Sequence, residues 1–376
     1  GEICDVVSGG TPSRATAEFW DGGTIPWIKI GNIQRKYVDE ADEYITQAGL
    51  EGSSAKMLSA GTILFTIFAT LGEVGILTIE ACTNQAIAGI TIKNQSDILT
   101  DYLYYFLKSQ KSCIAALGRG VAQNNINLSI LRNFEVPIPD LPMQKQIVAI
   151  LDKTAKVVEV RQQQLQQLDE LVKARFVELF GDGNHPHIAL IDLIIEGAGL
   201  SYGIVQPGDD GTGDMGVLRP VDMVDGKIST ASIKYIDRSI GDGFKKTELY
   251  GDELLITVRG TTGITALTDI RFNGMNVTRG IAVVRYDRNK INPVYLNAYL
   301  NTDESQRYIQ EHTRGATLQQ INLSDLRVQQ IMVPPLALQE QMAAFIEQTD
   351  KSKSVVQKAL DEAQLLFDSL MQQYFG

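Results

Sequence analysis

Residues 119–131 read RGVAQNNINLSIL, and residues 314–326 read RGATLQQINLSDL. The two stretches stay 195 positions apart from end to end. The sequence around them repeats as well. LFTIFATLGEVGI at 64–76 aligns with LITVRGTTGITAL at 255–267, matching Thr66 to Thr257, Thr70 to Thr261 and Gly72 to Gly263. IPWIKIGNI at 25–33 aligns with MGVLRPVDM at 215–223, and TDYLYYFLKS at 100–109 with NPVYLNAYLN at 292–301. FEVPIPDLPMQKQI at 134–147 aligns with QIMVPPLALQEQM at 330–342, placing Pro139, Gln144 and Gln146 against Pro334, Gln339 and Gln341. The spacing drifts only between 190 and 195. A period this long marks two duplicated domains, not a solenoid of short repeats.

Each half runs in the same order. Short β-type runs come first, separated by Gly and polar turns (TIPWIKI, GTILFTIF, GITIK; then GVLRPV, ELLITV, IAVVRY). One amphipathic helix follows, TDYLYYFLKSQKSCIAAL or NPVYLNAYLNTDESQRYIQEH. Then come the quoted loop, a short helical turn and a last strand ending in Pro. A long helix closes each half: after Pro142 no Gly or Pro occurs until FGDG at 180–183, and 337–375 is equally uninterrupted. Apolar residues recur at alternating spacings of three and four: Leu151, Thr154, Val158, Leu165, Leu168, Val172 and Leu179, then Ile346, Thr349, Val356, Leu360, Ala363, Phe367, Leu370 and Tyr374. Arg161, Arg175 and Lys353 interrupt the stripe. This is the seam of a coiled coil, and two equal helices in one chain most simply pair with each other. The alternative is two separate core helices. The fold class is therefore α+β: two similar mixed α/β domains, each followed by a long helix. The expected boundaries are a first domain at 1–141, a first long helix at 142–182, a second domain at 183–336 and a second long helix at 337–376.

Composition suits a globular chain of 376 residues, with 44% hydrophobic and 21% charged residues. No apolar run is long enough for a transmembrane helix. The chain opens at Gly1 already in fold-type sequence, so a trimmed or processed start without a signal peptide is expected. Cys4, Cys82 and Cys113 are odd in number and lack CxxC spacing, which favours a reducing compartment over a disulfide framework or zinc site. His185 and His187 sit in GDGNHPH between the candidate domains and read as a turn. The 34 basic and 45 acidic residues give a net charge of −11. Taken alone, that argues against nucleic acid, because phosphate contacts need Lys and Arg. A DNA-binding reading requires local basic clusters or a partner that supplies positive charge.

The quoted loop divides in two. INLS reads as a helix start, with Asn127 or Ser129 as cap, and Asn322 or Ser324 in the second copy. The residues before it stay polar but change identity: Gln123, Asn124 and Asn125 against Leu318, Gln319 and Gln320. Asn and Gln pair bidentately with adenine, and Arg with guanine. Arg119 and Arg314 are each followed by Gly, which lets a backbone approach a phosphate. Matching places supply further candidates: Lys29 with Arg219, and Thr70 with Thr261, to which Arg259 adds charge. Arg14, Arg35, Lys36 and Lys56 are basic loop residues of the first half; Lys245, Lys246, Arg271 and Arg279 are those of the second. The bland reading of each is a solvated surface residue. No nucleotide-binding Gly motif, HExxH, GxSxG or Asn/Asp/Ser-Pro-Pro-aromatic run is present; VPPL at 333–336 lacks the polar first and aromatic fourth residues. The sequence defines no catalytic centre and no metal site.

The repeat, the long helices and the loops together resemble the specificity subunit of type I restriction–modification systems. SGGTPS (8–13), IPWIKIGNI, GTILFTIFATLGEVGI (61–76) and RGVAQNNINLSILRNFEVPIPDLPMQKQI (119–147), with their second-half counterparts, carry the resemblance across the whole chain. In the second half LSYGIVQPG (200–208) stands where SGGTPS would. The resemblance implies two target recognition domains, each reading one half of a bipartite, asymmetric site in double-stranded DNA. It implies that the long helices pair as an antiparallel coiled coil that fixes half-site spacing and docks two methyltransferase subunits. Those partners would bind S-adenosylmethionine and flip the adenine; a motor/endonuclease subunit would join for cleavage. This chain would then carry no chemistry and bind no cofactor, and would work in the cytoplasm without a membrane. Two other classes remain open on the residues alone: a self-contained DNA methyltransferase or restriction enzyme, and a duplicated scaffold that reads no nucleic acid.

Overall fold

The computed structural model describes residues 1–111, 114, 126–181, 183–208, 211, 213–224, 226–316 and 318–376. The chain divides into two compact units, one of residues 1–163 with 356–376 and one of residues 164–355.

In the first unit the strands are β1 (Cys4–Ser8), β2 (Ile25–Ile28), β3 (Tyr37–Val38), β4 (Glu43–Ile45), β5 (Ile63–Thr66), β6 (Val74–Leu77), β7 (Cys82–Thr83) and β8 (Ile87–Ile92). They form a sheet in the order β1-β8-β5-β6-β3 and a smaller one in the order β4-β2-β7. The second unit has β9 (His187–Ala189), β10 (Met215–Leu218), β11 (Met223–Val224), β12 (Lys227–Ile228), β13 (Lys234–Ile236), β14 (Leu254–Thr257), β15 (Thr265–Leu267), β16 (Asn276–Val277), β17 (Ile281–Val284) and β18 (Gln330–Met332). Its sheets β15-β14-β17 and β13-β10-β16 repeat β6-β5-β8 and β4-β2-β7. The pairing sense repeats too: β2 runs parallel to β7 and antiparallel to β4, as β10 does to β16 and β13. The central strands ILFT and LLIT are buried at every position, the pattern of a strand covered on both faces.

The helices of the first unit are α1 (Gln47–Glu51), α2 (Thr100–Ser109), α3 (Leu128–Arg132) and the front of α4 (Leu141–Phe180). Those of the second are α5 (Pro293–Leu300), α6 (Asp303–His312), α7 (Leu323–Val328) and the front of α8 (Leu336–Phe375). The single helix expected over 292–312 is two, because Asn301 and Thr302 break it and the Thr302 hydroxyl caps the next one at Ser305. His187 is not turn but the first residue of β9, paired with β18. In the first unit the segment before α4 forms no such ladder among the described residues.

At 40 residues each, α4 and α8 are about 60 Å long. They pair antiparallel: in the second unit Lys353 Nζ meets Asp169 at 2.7 Å, and the Arg175 guanidinium lies over the Phe345 ring. Every seam residue read from the sequence is buried or half-buried, including Arg161, Arg175 and Lys353. The three cations stay in register because their long stems pack while their heads find a carboxylate, an aromatic face or another polar partner. The long helices are not separate rods. Ile147, Leu151, Phe367 and Met371 belong to the core of the first unit with Tyr102, Tyr105 and Phe106 of α2. Phe180 and Met342 belong to that of the second with Tyr295 and Tyr299 of α5.

One polar side chain ties each long helix to its fold. Gln144 and Gln339 are wholly buried. Gln144 Oε1 accepts from the Leu99 amide at 2.9 Å, and its Nε2 donates to the carbonyls of Asp97 and Pro139 at 2.9 and 2.8 Å. Gln339 Oε1 accepts from the Asn292 amide at 2.8 Å, and its Nε2 donates to Pro334 at 2.8 Å. Leu99 and Asn292 are the N-caps of α2 and α5. A capping box normally supplies this acceptor from within the helix; here a second helix supplies it.

The first unit adds an ionic clamp. Lys36 Nζ meets Asp101 of α2 and Asp152 of α4 at 2.6 Å each. Burial works against the ammonium charge, but the two carboxylates hold Lys36 above its ordinary value of 10.5. Asp101 is also partly desolvated, yet hydrogen bonds from Lys36 and Tyr37 keep it below 3.8.

Two outcomes follow from these contacts. Gln339→Ala strands a buried amide and a buried carbonyl, and should cost about 2–4 kcal/mol in denaturant unfolding; Gln144→Ala should cost the same. Lys36→Met should cost about 2 kcal/mol near neutrality. The raised Lys36 contributes below pH 10.5 and loses its contribution as pH climbs through its folded value. The lowered Asp101 contributes above pH 3.8 and loses its contribution as pH falls through its folded value. The gap between wild type and Lys36→Met should therefore be widest between those limits and close at both ends, as read from unfolding midpoints across pH.

Candidate nucleic-acid interface

The basic candidates sort by whether the molecule already occupies them. Arg14 stacks over Trp20 at 3.6 Å and pairs with Glu43, while Lys29 reaches the same carboxylate at 2.6 Å. Hydrogen bonds from Lys29, then Arg14, hold Glu43 below the usual carboxylate range. Arg219, the counterpart of Lys29, grips the wholly buried Asp222 with Nε and Nη2 at 3.1 and 2.9 Å. Both turns close the same way, through a backbone amide on the side chain three residues on: Lys29 to Asn32, and Arg219 to Asp222. Lys36 is the clamp described above, and Arg271 is paired with Asp269 at 2.7 Å. Arg314 approaches Asp325 only to 3.8 Å and is largely exposed. Arg35, Lys56, Lys245, Lys246 and Arg279 are exposed, Arg259 is half-exposed, and none of the six side chains has a polar partner among the described residues. Arg119, Gln123, Asn124 and Asn125 lie outside the described residues.

Several free candidates meet at one edge of the second unit. The Val258 amide donates to the Gly280 carbonyl at 2.7 Å, which sets Arg259 beside Arg279. The Ile321 amide donates to Val258 at 3.0 Å, and the Gly260 amide to Gln319 at 2.9 Å. Arg314 and Gln320 exchange both backbone hydrogen bonds at 2.8 Å. Gln320 is thus bridged antiparallel to Arg259 on one side and to Arg314 on the other. Thr262 and Thr313 join hydroxyls at 3.0 Å beneath this array. Gly315 has φ 99°, and a Cβ there would strike the Leu318 carbonyl, so only glycine permits the turn. Thr261 is exposed at the tip. Lys245 and Lys246 lie on another segment, Arg238–Thr247.

The first unit repeats this scaffold as far as it is described. The Ile67 amide donates to Ala86 at 2.8 Å, and the Ile126 amide to Ile67 at 3.1 Å. Thr66 Oγ1 accepts from the Glu73 amide, as Thr257 Oγ1 does from Ile264, both at 2.9 Å. Gly72 and Gly263 both have positive φ and bond to Thr66 and Thr257. At the tip Phe68 stands where Arg259 does, 38% exposed, and Ala69 takes φ 60° where Gly260 takes 88°. A left-handed alanine costs about 1–2 kcal/mol, a strain that points to a use for the turn's shape. Phe68 was not among the candidates read from the sequence, although the alignment of 64–76 with 255–267 sets it opposite Arg259. Exposed Thr70 follows it. The two INLS caps differ: Asn127 accepts from the amides of Ser129 and Ile130, whereas the Asn322 side chain makes no cap bond.

Among the described residues no cluster of three or more His, Cys, Asp or Glu could hold a metal ion, and no helix is long and apolar enough to cross a membrane. Cys82 is buried, which pushes its thiol up to about 11.

Comparison with known proteins agrees with this geometry. A profile of the type I restriction modification DNA specificity domain matches residues 1–170 and 214–364. The type I restriction enzyme EcoR124I/EcoR124II specificity subunit of Escherichia coli is 33% identical over 159 residues, covering 41% of this chain and 39% of that protein. The MjaIX specificity subunit of Methanocaldococcus jannaschii is 22% identical over 373 residues, covering 92% and 84%. Among solved structures, the type I restriction–modification S subunit from M. genitalium superposes with a TM-score of 0.57 at 14% identity, covering 100% of this chain and 94% of that one. A chain from a type I R-M assembly superposes with a TM-score of 0.52 at 16% identity, covering 100% and 98%. With both halves matched by the profile, the chain belongs to the type I restriction–modification DNA specificity family.

Proposed function

We infer that this chain is the DNA-recognition subunit of a type I restriction–modification complex, reading a bipartite, asymmetric target with one unit per half-site. One observation carries the reading: a loop scaffold built twice with the same backbone bonds, ending in different side chains at matched tips. A shared scaffold with variable polar or aromatic tips suits two readers of two unlike sequences. As a specificity subunit the chain is not an enzyme. The adenine chemistry falls to methyltransferase subunits that bind S-adenosylmethionine, and cleavage to a motor/endonuclease subunit. The DNA-binding candidates are those named above, with the unpaired cations foremost.

The net charge of −11 fits a reader that does not neutralise the duplex alone. Methyltransferase subunits that close around the DNA would supply the missing positive charge. The long helices offer them docking surface. Val157, Leu365 and Leu366 are exposed on the helices of the first unit, and Leu171, Val177 and Val355 on those of the second. Two such sets accord with two methyltransferase copies. Work on DNA in this complex implies a cytoplasmic location.

Replacing residues 1–140 by the matching part of a relative should change one half-site of the methylated motif and leave the other intact. Sequencing of methylated genomic DNA from cells carrying the complex reads this directly; a change in both half-sites counts against one reader per unit. Leu365→Asp with Leu366→Asp should cut co-purification of the methyltransferase subunit at least tenfold, with the unfolding midpoint unchanged.

A further inference from the structure

The edge of the second unit holds more than a collection of polar residues. Arg259 and Gln320 are directly opposed, with the flanking bonds Ile321–Val258 and Gly260–Gln319 on either side. That is the narrow, non-hydrogen-bonded pair of an antiparallel ladder, whose Cα atoms lie about 4.5 Å apart and whose side chains share one face. Gln320 and Arg314 exchange both hydrogen bonds, which makes them the wide pair, about 5.5 Å apart. Arg259, Gln320 and Arg314 thus form one cross-strand row about 10 Å long, close to three base steps of about 3.4 Å. Neither Arg259 nor Gln320 has a side-chain partner among the described residues. A guanidinium and a carboxamide side by side, both free, form a planar donor pair next to a donor–acceptor pair. Those are the groups that match the major-groove edges of guanine and of adenine. In the first unit the position of Arg259 is held by exposed Phe68, next to Ile67, whose bonds to Ala86 and Ile126 match those of Val258 to Gly280 and Ile321. Phe offers no hydrogen bond; its match in the major groove is the thymine methyl.

We propose that the matched tip position is a base reader in both units: Arg259 selects a guanine beside an adenine selected by Gln320, and Phe68 selects a thymine in the other half-site. This rests on the DNA-recognition reading above. Arg314, leaning toward Asp325, flanks the row as its third member.

The test uses the full chain expressed with its methyltransferase subunits in a host lacking the system, and the methylated motif read by single-molecule sequencing of host DNA. Arg259→Ala should relax one guanine in one half-site, with discrimination falling about ten- to a hundredfold, while the other half-site stays intact. Arg259→Lys should relax the same position, because an ammonium keeps the charge but loses the planar fork. Gln320→Ala should relax a neighbouring adenine, and Phe68→Ala a thymine in the opposite half-site. Methylation of the unchanged motif by Arg259→Lys, with Arg259→Ala weakened alike at every site, would mean a phosphate contact and overturn the inference. So would a change by Phe68→Ala in the same half-site as Arg259→Ala. A wild-type complex that methylates no bipartite motif overturns the recognition reading itself, and this inference with it; an intact wild-type motif left unchanged by Arg259→Ala overturns the inference alone.

Discussion

A buried carboxamide holds each recognition fold to the helix that leaves it. Gln144 and Gln339 stand near the front of the two long helices and satisfy the first amide of the helix beside them. Their Nε2 groups close on the carbonyls of Pro139 and Pro334, which are the turns into the long helices themselves. A carboxamide accepts through its oxygen and donates twice through its nitrogen while staying neutral in an apolar core. The shared cores then follow. Once the head helix is set against the long helix, Tyr102, Tyr105, Tyr295 and Tyr299 pack on the helix pair.

Charge is distributed with the same economy. Many of the cations that sequence singles out are matched by a carboxylate within the chain: Arg14 and Lys29 by Glu43, Lys36 by Asp101 and Asp152, Arg219 by Asp222, Arg271 by Asp269. Such pairs shape turns and fasten elements, and their ammonium and guanidinium groups are not free for phosphate. Two of the unpaired cations, Arg259 and Arg279, stand together at one edge of the second unit, with Gln320 on the other side of Arg259. An acidic chain can therefore carry a local basic edge.

The duplication separates a repeated scaffold from variable loop tips. Among the described residues backbone bonds of this loop recur between the units, and the Thr66 and Thr257 hydroxyls close it on an amide in the same way. The tips do not recur: Arg259 corresponds to Phe68, and Gly260 to a strained Ala69. Even the identical INLS phrase differs in use, since Asn127 caps its helix with its side chain and Asn322 does not. Identity of residues was a good guide to backbone and a poor one to side-chain partners. A partner is set by what tertiary packing brings near, which local sequence does not encode.

The sequence by itself determined the two-fold repeat, the fold class, the two long helices and the seam along them, because periodicity and Gly/Pro punctuation are local properties of the chain. It also matched Gln144 to Gln339 and Thr70 to Thr261. Only the tertiary structure decided that the seam's Arg175 and Lys353 find partners across the pair, that the helix after Asn292 breaks at Thr302, and that Lys36 is a clamp. Only it assembled Arg259, Gln320 and Arg314, distant in the chain, into one row. Those outcomes depend on contacts between segments far apart in sequence, and a contact of that kind exists only once the cores have closed around it.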